Sequence, residues 1–252
     1  MTDTKKRVWI TGAGKGIGRA LALTMARDGW QVAASARTVS DLEELVAAAP
    51  KGHIHAFPLD VCDRRATAVT LASITEVLGP LDLAVLNAGT HIPMGADDFS
   101  ADTVQHLLNV NVLGTANGLE VLIPSFRQSG AGHIAVVASV AGYRGLPTAA
   151  AYGPSKAAII NMCEALYPEL AKAGVHLSLV NPGFVDTPLT RKNDFSMPML
   201  ITAEQAAETI YAGLQRKKYE IVFPRLFAFI MKGLRLLPNK ALFLISTRML
   251  RP

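Results

Sequence analysis

Tyr152 and Lys156 stand four residues apart in "YGPSKAAI" (152–159), with Pro154 between them. In a helix that spacing sets both side chains on one face. A phenol with a pKa of about 10 is a poor base at neutral pH. A neighbouring ammonium favours the phenolate, and the positive end of a helix acts in the same direction. A tyrosine tuned in this way can give a proton to a carbonyl oxygen or take one from an alcohol. The competing account is a tyrosine ring packed on a lysine stem, and for the pair taken alone that account is the stronger. Pro154 constrains the geometry in either case. It lacks an N–H and its ring clashes with a preceding turn, so it belongs in the first turn and Tyr152 at the helix start.

Further residues shift the balance. Ser139 ends the apolar run "HIAVVAS" (133–139), at a strand's carboxyl end, where open α/β sheets bind ligands. The turn "ITGAGKGIG" (10–18) has glycines at 12, 14, 16 and 18 between a first strand and a first helix. Such a turn lets the backbone approach a pyrophosphate, and the helix N-terminus offers free N–H groups with partial positive charge. Asn87 opens "NAG" (87–89) after another strand, as a turn former or as part of the same site. The second strand ends in "SAR" (35–37), and no acid follows until Asp41. An acid there would hold the ribose 2′-hydroxyl of NAD; cations there suit a 2′-phosphate. Arg37 and Lys15 could both reach such a phosphate, Arg37 bidentately, or both could be solvated surface charges. The expected cofactor is therefore NADP(H) rather than NAD(H).

The six histidines, His53, His55, His91, His106, His133 and His176, show no metal-ligand spacing, and no metal is expected. His53 and His55 alternate on one strand face and read as surface residues. His91 follows "NAGT" and is the one that could border the site.

Seven strand-like segments position these groups: 7–11, 31–37, 53–61, 81–89, 133–139, 175–183 and 219–223. Helical segments lie between them at 16–29, 39–49, 63–78, about 102–129 and 152–173, with another starting at "TAEQ" (202–205). In the first of these, Ile17, Leu21 and Met25 form one stripe. Ser40 with Glu43, and Thr202 with Gln205, read as capping boxes. Strands alternating with helices, with no change of composition, imply one doubly wound parallel sheet in an α/β domain.

Length and composition agree. The 252 residues suffice for one large core, and 50% hydrophobic with 18% charged residues is a globular balance. No apolar run reaches the roughly 18 residues of a membrane span or forms a signal peptide before the glycines. Cys62 and Cys163 have no ligand or redox spacing and fit a reduced, cytoplasmic protein. The net charge of +5 is not a nucleic-acid signature. Six of the 25 bases lie after Ile221 with no acid, leaving 19 against all 20 acids in the body, and that basic tail is apolar. In residues 225–252, Arg225, Lys232 and Arg235 form a stripe on a Leu/Phe/Ile/Met helix, and Pro238 breaks it. Such a segment could lie on an anionic membrane, cover a pocket or meet another subunit.

The spacing Thr11-Gly12-x-x-x-Gly16-x-Gly18 resembles the short-chain dehydrogenase/reductase family, and matching motifs recur along residues 6–223. The resemblance implies a single-domain Rossmann fold: residues 1–223 as the NADP-binding catalytic domain and 224–252 as a helical extension of it. It implies cofactor contacts at Thr11, Gly12, Gly14, Lys15, Gly16, Ile17, Gly18 and Arg37. Asp60 and Val61 of "LDV" lie near the adenine, and Asn87, Ala88 and Gly89 near its ribose. Pro182, Gly183, Val185 and Thr187 of "NPGFVDT" belong to the turn holding the nicotinamide amide. Ser139 and Tyr152 hold the substrate oxygen. Tyr152 and Lys156 also belong to the implied cofactor contacts: Lys156 binds the nicotinamide ribose and lowers the Tyr152 pKa, and Asn111 of "NVNVLG" holds a water of a proton relay. The implied protein is an oxidoreductase acting on a small carbonyl or alcohol, and a homodimer or homotetramer. The alternative is a family-derived nucleotide sensor or membrane-associated scaffold without turnover.

Loops 90–100, 140–149 and 184–201 are expected around the nicotinamide. Met94, Phe99, Tyr143, Leu146, Phe184, Leu189, Phe195, Met197 and Met199 suggest a lipophilic substrate. Arg144, Arg191 and Lys192 are either solvated or placed for an anionic group.

Overall fold

In the computed structural model, residues 5–192 and 197–248 are described. Phe195 and the tail's last four residues, named above, lie outside them. Seven parallel strands form one sheet in the order β3-β2-β1-β4-β5-β6-β7. They are β1 (Arg7–Thr11), β2 (Gln31–Ser35), β3 (Ile54–Ala56), β4 (Leu83–Leu86), β5 (His133–Val137), β6 (His176–Pro182) and β7 (Glu220–Phe223). The direction of succession reverses between β1 and β4, which opens a crevice at their carboxyl ends.

Helices cover both faces. Alternate β1 residues point to opposite sides, Val8 and Ile10 into one core and Trp9 into the other. The first core joins α1 (Gly16–Arg27), α2 (Val39–Ala48) and α7 (Ala203–Gln215) through residues such as Leu21, Met25, Leu42 and Ile210. The second joins α3 (Arg64–Leu78), α5 (Gly114–Ser129) and α6 (Tyr152–Lys172) through Ile74, Leu122 and Ile159. All of β4 is buried, as a parallel strand covered on both faces must be.

Several elements differ from the sequence expectation for physical reasons. Regular β3 covers three residues, not the nine of 53–61, because Pro58 has no N–H to donate. The chain stays extended, with Phe57 N–H donating to Ala34 O (2.8 Å) and Leu59 N–H to Ala36 O (3.0 Å), which carries Asp60 and Val61 to the sheet edge. Helix α2 starts one residue before Ser40, so the expected Ser40–Glu43 capping box does not form. Thr38 occupies the N-cap position without a side-chain hydrogen bond, and Asp41 supplies negative charge to the first turn instead. The Thr202–Gln205 box does form. The long helix expected over 102–129 is α4 (Ala101–Leu107) continuing through a π-helical turn, Leu108–Leu113, into α5. After β7 come α8 (Arg225–Leu236) and, past Pro238, α9 (Asn239–Thr247). No helix among the described residues is long and apolar enough to cross a membrane.

His133, at the start of β5, is buried, and its Nε2 lies 2.8 Å from Ser178 Oγ. That hydroxyl donates to Lys218 O (2.5 Å), so the neutral imidazole donates to Ser178. Burial pushes the His133 pKa down to about 4, and His176 and Lys217 act in the same direction. The unfolded chain therefore takes up a proton near the ordinary value of 6.5 while the native chain does not. Stability from this group is complete above the ordinary value and is lost as pH falls toward 4. We expect denaturant titrations to show roughly 2–3 kcal/mol less stability from this group at pH 4.5 than at pH 7. His133→Gln, which keeps a donor for Ser178, should flatten that dependence. An equally steep loss in the variant would place the acid sensitivity elsewhere.

Candidate active site

The glycine turn lies between β1 and α1 and packs against the end of β4. The Asn87 side-chain amide donates to Thr11 O (3.0 Å) and Gly12 O (3.2 Å). Thr11 Oγ1 accepts the Asn87 and Ala88 N–H groups at 3.0 and 3.1 Å. Gly18 stands behind the turn, where a Cβ would come within 2.3 Å of Gly12 O and 2.5 Å of Asn87 Nδ2. Gly12 and Gly16 have φ of +66° and +56°, in the left-handed region that favours glycine.

In front of the turn is a cavity of about 360 Å³. Its walls include Gly12, Gly14, Lys15, Gly16 and Ile17 from the turn, and Arg37 from the end of β2. Of the other residues expected at the cofactor, Asp60, Val61, Asn87, Ala88, Gly89 and Thr187 also line it, and Tyr152 and Lys156 do not. Thr11, Gly18, Pro182 and Val185 do not line it: Thr11 and Gly18 brace the turn, Val185 is buried in the core, and Pro182 O accepts from Ser139 Oγ (3.3 Å). Leu59 of "LDV" and Leu189 of the loop expected near the nicotinamide also line it, and Thr38, Asp41, Val110 and Pro188 are lining residues that no motif indicated. A cavity with a glycine cradle, a helix N-terminus and the exposed Arg37 in its wall fits a nicotinamide dinucleotide. Lys15 pairs with Asp41 at 3.2 Å, so part of its charge is already engaged.

Tyr152 is the first residue of α6 and Pro154 the third, inside the first turn as its chemistry requires. Lys156 is 4% exposed and its Nζ donates to Val137 O (3.0 Å), 5.7 Å from the Tyr152 ring centroid. Ser139 is buried just past β5, accepts the Ala141 N–H (3.1 Å) and hydrogen-bonds to Tyr152. Asn111 sits in the π-helical turn, fully buried. Its Oδ1 accepts the Thr90 N–H (2.7 Å), and its Nδ2 donates to Thr90 O (3.0 Å) and Ser155 Oγ (2.9 Å). Ser155 in turn donates to Tyr152 O (2.7 Å). A Cβ on Gly89 would lie 3.3 Å from Asn111 Oδ1 and 3.4 Å from Lys156 Nζ, so both groups converge beside that glycine.

The electrostatics differ from the expectation that Lys156 lowers the Tyr152 pKa. Burial dominates both groups. It raises Tyr152 to about 12, against a smaller lowering from the Ser139 hydrogen bond, and lowers Lys156 to about 8. At neutral pH the phenol therefore holds its proton.

Beside Tyr152 lies a second cavity of about 110 Å³. Ser139, His91, Leu146, Phe184, Leu189 and Phe227 contribute to its wall, and Leu189 also borders the first cavity. His91 packs edge-on against Tyr152, with ring centroids 4.6 Å apart. Phe227, from α8, was not indicated by sequence; it packs on Phe184 at 5.3 Å. Gly183 lines this cavity and not the first. Met94 is buried in a small cluster with Leu107 and Ala151 against which Tyr152 packs, Tyr143 is buried away from the cavity, and Phe99 and Met199 are exposed. The three cations have other partners. Arg144 donates to Asn239 Oδ1 (2.6 Å), Arg191 pairs with Asp186 (2.9 Å), and Lys192 Nζ donates to His91 O (3.3 Å).

Comparison with known proteins agrees with this geometry. The sequence pattern of the family described as short chain dehydrogenase matches residues 6–196. An uncharacterized oxidoreductase of Myxococcus xanthus is 36% identical over 244 residues, 96% of each chain. The crystal structure of 3-ketoacyl-(acyl-carrier-protein) reductase from Brucella melitensis, complexed with NADH, superposes with a TM-score of 0.78 at 27% identity. It covers 86% of this chain and 94% of its own. An alcohol dehydrogenase of the archaeon Thermococcus sibiricus, complexed with 5-hydroxy-NADP, gives 0.77 at 25% identity, covering 87% and 96%.

The cradle's packing is testable without substrate. Gly18→Ala should lower unfolding stability by about 1–3 kcal/mol and weaken nucleotide binding, because its Cβ must displace Gly12 or Asn87. Gly145→Ala, where a Cβ meets nothing within 4 Å, should change stability by less than about 0.5 kcal/mol. Equal effects of the two, read by denaturant unfolding, would contradict the close approach.

Proposed function

Because the chain belongs to the short-chain dehydrogenase family, whose pattern spans residues 6–196, we propose that it is an NADP(H)-dependent oxidoreductase interconverting a carbonyl and an alcohol. The observation that carries this reading is the wall of the second cavity, where Tyr152 and Ser139 stand together with the buried Lys156 ammonium behind the Tyr152 ring. When bound, the nicotinamide supplies or accepts the hydride.

The chain's own residues handle the oxygen and the proton. Ser139 and Tyr152 hold the substrate oxygen, and the Tyr152 O–H gives its proton to that oxygen as the carbonyl carbon is reduced. A phenol kept protonated by burial is in the correct state for this direction. In the reverse direction Tyr152 must take the alcohol proton, and the Ser139 hydrogen bond favours its phenolate. Lys156, beside Gly89, would hold the nicotinamide ribose when the cofactor is bound, and Asn111, clamped by Thr90 and Ser155, would continue the proton path.

The substrate in this reading is lipophilic: the second cavity has Leu146, Phe184, Leu189 and Phe227 in its wall, and the nearby cations have other partners. Residues 1–223 form the catalytic domain and 224–252 its extension. The protein is a homodimer or homotetramer of the cytoplasm. The free thiols Cys62 and Cys163 suit such a reducing compartment. A sensor or scaffold without turnover would have no need of Tyr152 and Lys156, and both are retained.

Two measurements test the chemistry and the cofactor. Using a carbonyl substrate found by following NADPH oxidation, Tyr152→Phe should lower kcat at least about 100-fold with NADPH affinity unchanged. Full turnover in that variant would remove Tyr152 as the acid. For the cofactor, Arg37 carries the preference, since Lys15 is shared with Asp41. Arg37→Asp should weaken NADPH at least about tenfold more than NADH, by loss of the cation and repulsion of the 2′-phosphate. Parallel weakening of both nucleotides would refute the charge assignment.

A further inference from the structure

Helix α8 has two apolar faces, and only one is used by the fold. Ala228 and Met231 are buried, and Phe227 reaches the cavity beside Tyr152. At helical pitch Leu226, Phe229, Ile230 and Leu236 point away from that side, with exposures of 63%, 79%, 48% and 85%. Helix α9 repeats the arrangement, burying Leu242 and exposing Phe243 and Leu244. Seven of the sixteen large apolar side chains exposed among the described residues fall between Leu226 and Ile245. So many exposed large apolar side chains on two consecutive helices mark an interaction surface.

The charge around it selects the occupant. Residues 221–252 contain six bases and no acid. Lys232 is held by Glu220, while Arg225, Arg235, Lys240 and Arg248 are exposed along the same two helices. A second copy meeting this face isologously would bring two basic flanks together, which opposes association. A nucleic acid would leave the apolar side chains in water. An anionic lipid surface satisfies both features, because acyl chains take the apolar face and headgroups the bases.

We propose that the outer face of α8 and α9 docks on an anionic lipid bilayer, so that the pocket lined by the inner face of α8 meets its substrate at the membrane surface. For the substrate's route alone, this rests on the lipophilic reading given above. The helices are fixed to the sheet and the loop after β5, since Arg144 bonds Asn239 while Tyr143 and Lys232 share Glu220 of β7, and Phe227 of α8 lines the pocket itself. Docking therefore sets the orientation of the whole pocket.

Co-sedimentation of the full chain with vesicles tests this directly. Binding to phosphatidylcholine vesicles containing phosphatidylglycerol should exceed binding to phosphatidylcholine alone by at least about tenfold and weaken with added salt. The double variant Phe229→Ser, Leu236→Ser should lose that binding at least about tenfold. It should titrate with NADPH as the parent does, which shows an intact fold. Arg235→Glu with Lys240→Glu should abolish the anionic preference. Failure of the full chain to bind either vesicle, or undiminished binding by the serine variant, would overturn the proposal. So would loss of an oligomer in the serine variant, seen by sedimentation velocity, with no vesicle binding by the parent; the face would then belong to a second copy. Vesicle binding is read without turnover, so its failure leaves the oxidoreductase reading standing, and an inactive protein that binds vesicles leaves the docking surface standing.

Discussion

The close approach of β1, α1 and β4 at Gly12, Gly18 and Asn87 is the constraint on which the site depends. The first turn of α1 can lie this near the end of β1 only because Gly18 has no Cβ to meet Gly12 O. Asn87 then fastens the end of β4 to the same turn through Thr11 O and Gly12 O. This junction falls where the strand order reverses, so the crevice between the diverging connections opens directly in front of the glycines. Both faces of the sheet are sealed by helices, which leaves the carboxyl edge for chemistry.

The second half of the sheet brings a costly group to that edge. An ammonium at 4% exposure is unfavourable unless it is satisfied, and Lys156 gains the Val137 carbonyl and the Tyr152 ring. Burial raises the phenol and lowers the ammonium, so each group is pushed toward its neutral form. In the proposed reaction this leaves a protonated acid poised for a carbonyl oxygen and a lysine able to respond to charge arriving beside it. The π-helical turn at Asn111 serves the same arrangement. One residue, gripped by Thr90 and Ser155, ties the β4 turn to α6.

The tail links this chemistry to the surface. Phe227 closes one side of the cavity beside Tyr152, while its neighbours on the same helix face outward. Of the three roles the tail's composition allowed, pocket cover is directly visible in Phe227. The outward apolar face with its basic surroundings is what the docking proposal explains.

Much of this was legible in the sequence. The strand and helix alternation yielded the seven-stranded parallel sheet, the glycines marked the turn, and Pro154 located Tyr152 at the start of α6, because each depends on backbone chemistry local to the residue. Local chemistry also explains the boundary errors: Pro58 shortens β3, and the first turn of α2 uses Asp41 where Ser40 was expected to cap. What the sequence could not contain is distance between segments far apart in the chain. Ser155 supporting Asn111, Phe227 entering from beyond β7 and Asp41 engaging Lys15 carry no spacing signal. The balance of pKa shifts was also out of reach, since an i, i+4 lysine suggests a lowered phenol while burial, a property of the folded whole, raises it. Sequence alone determined the fold class and the residue types available at the carboxyl edge. Tertiary packing decided which of them touch and how deeply they are buried, because both depend on elements that meet only after the sheet has closed.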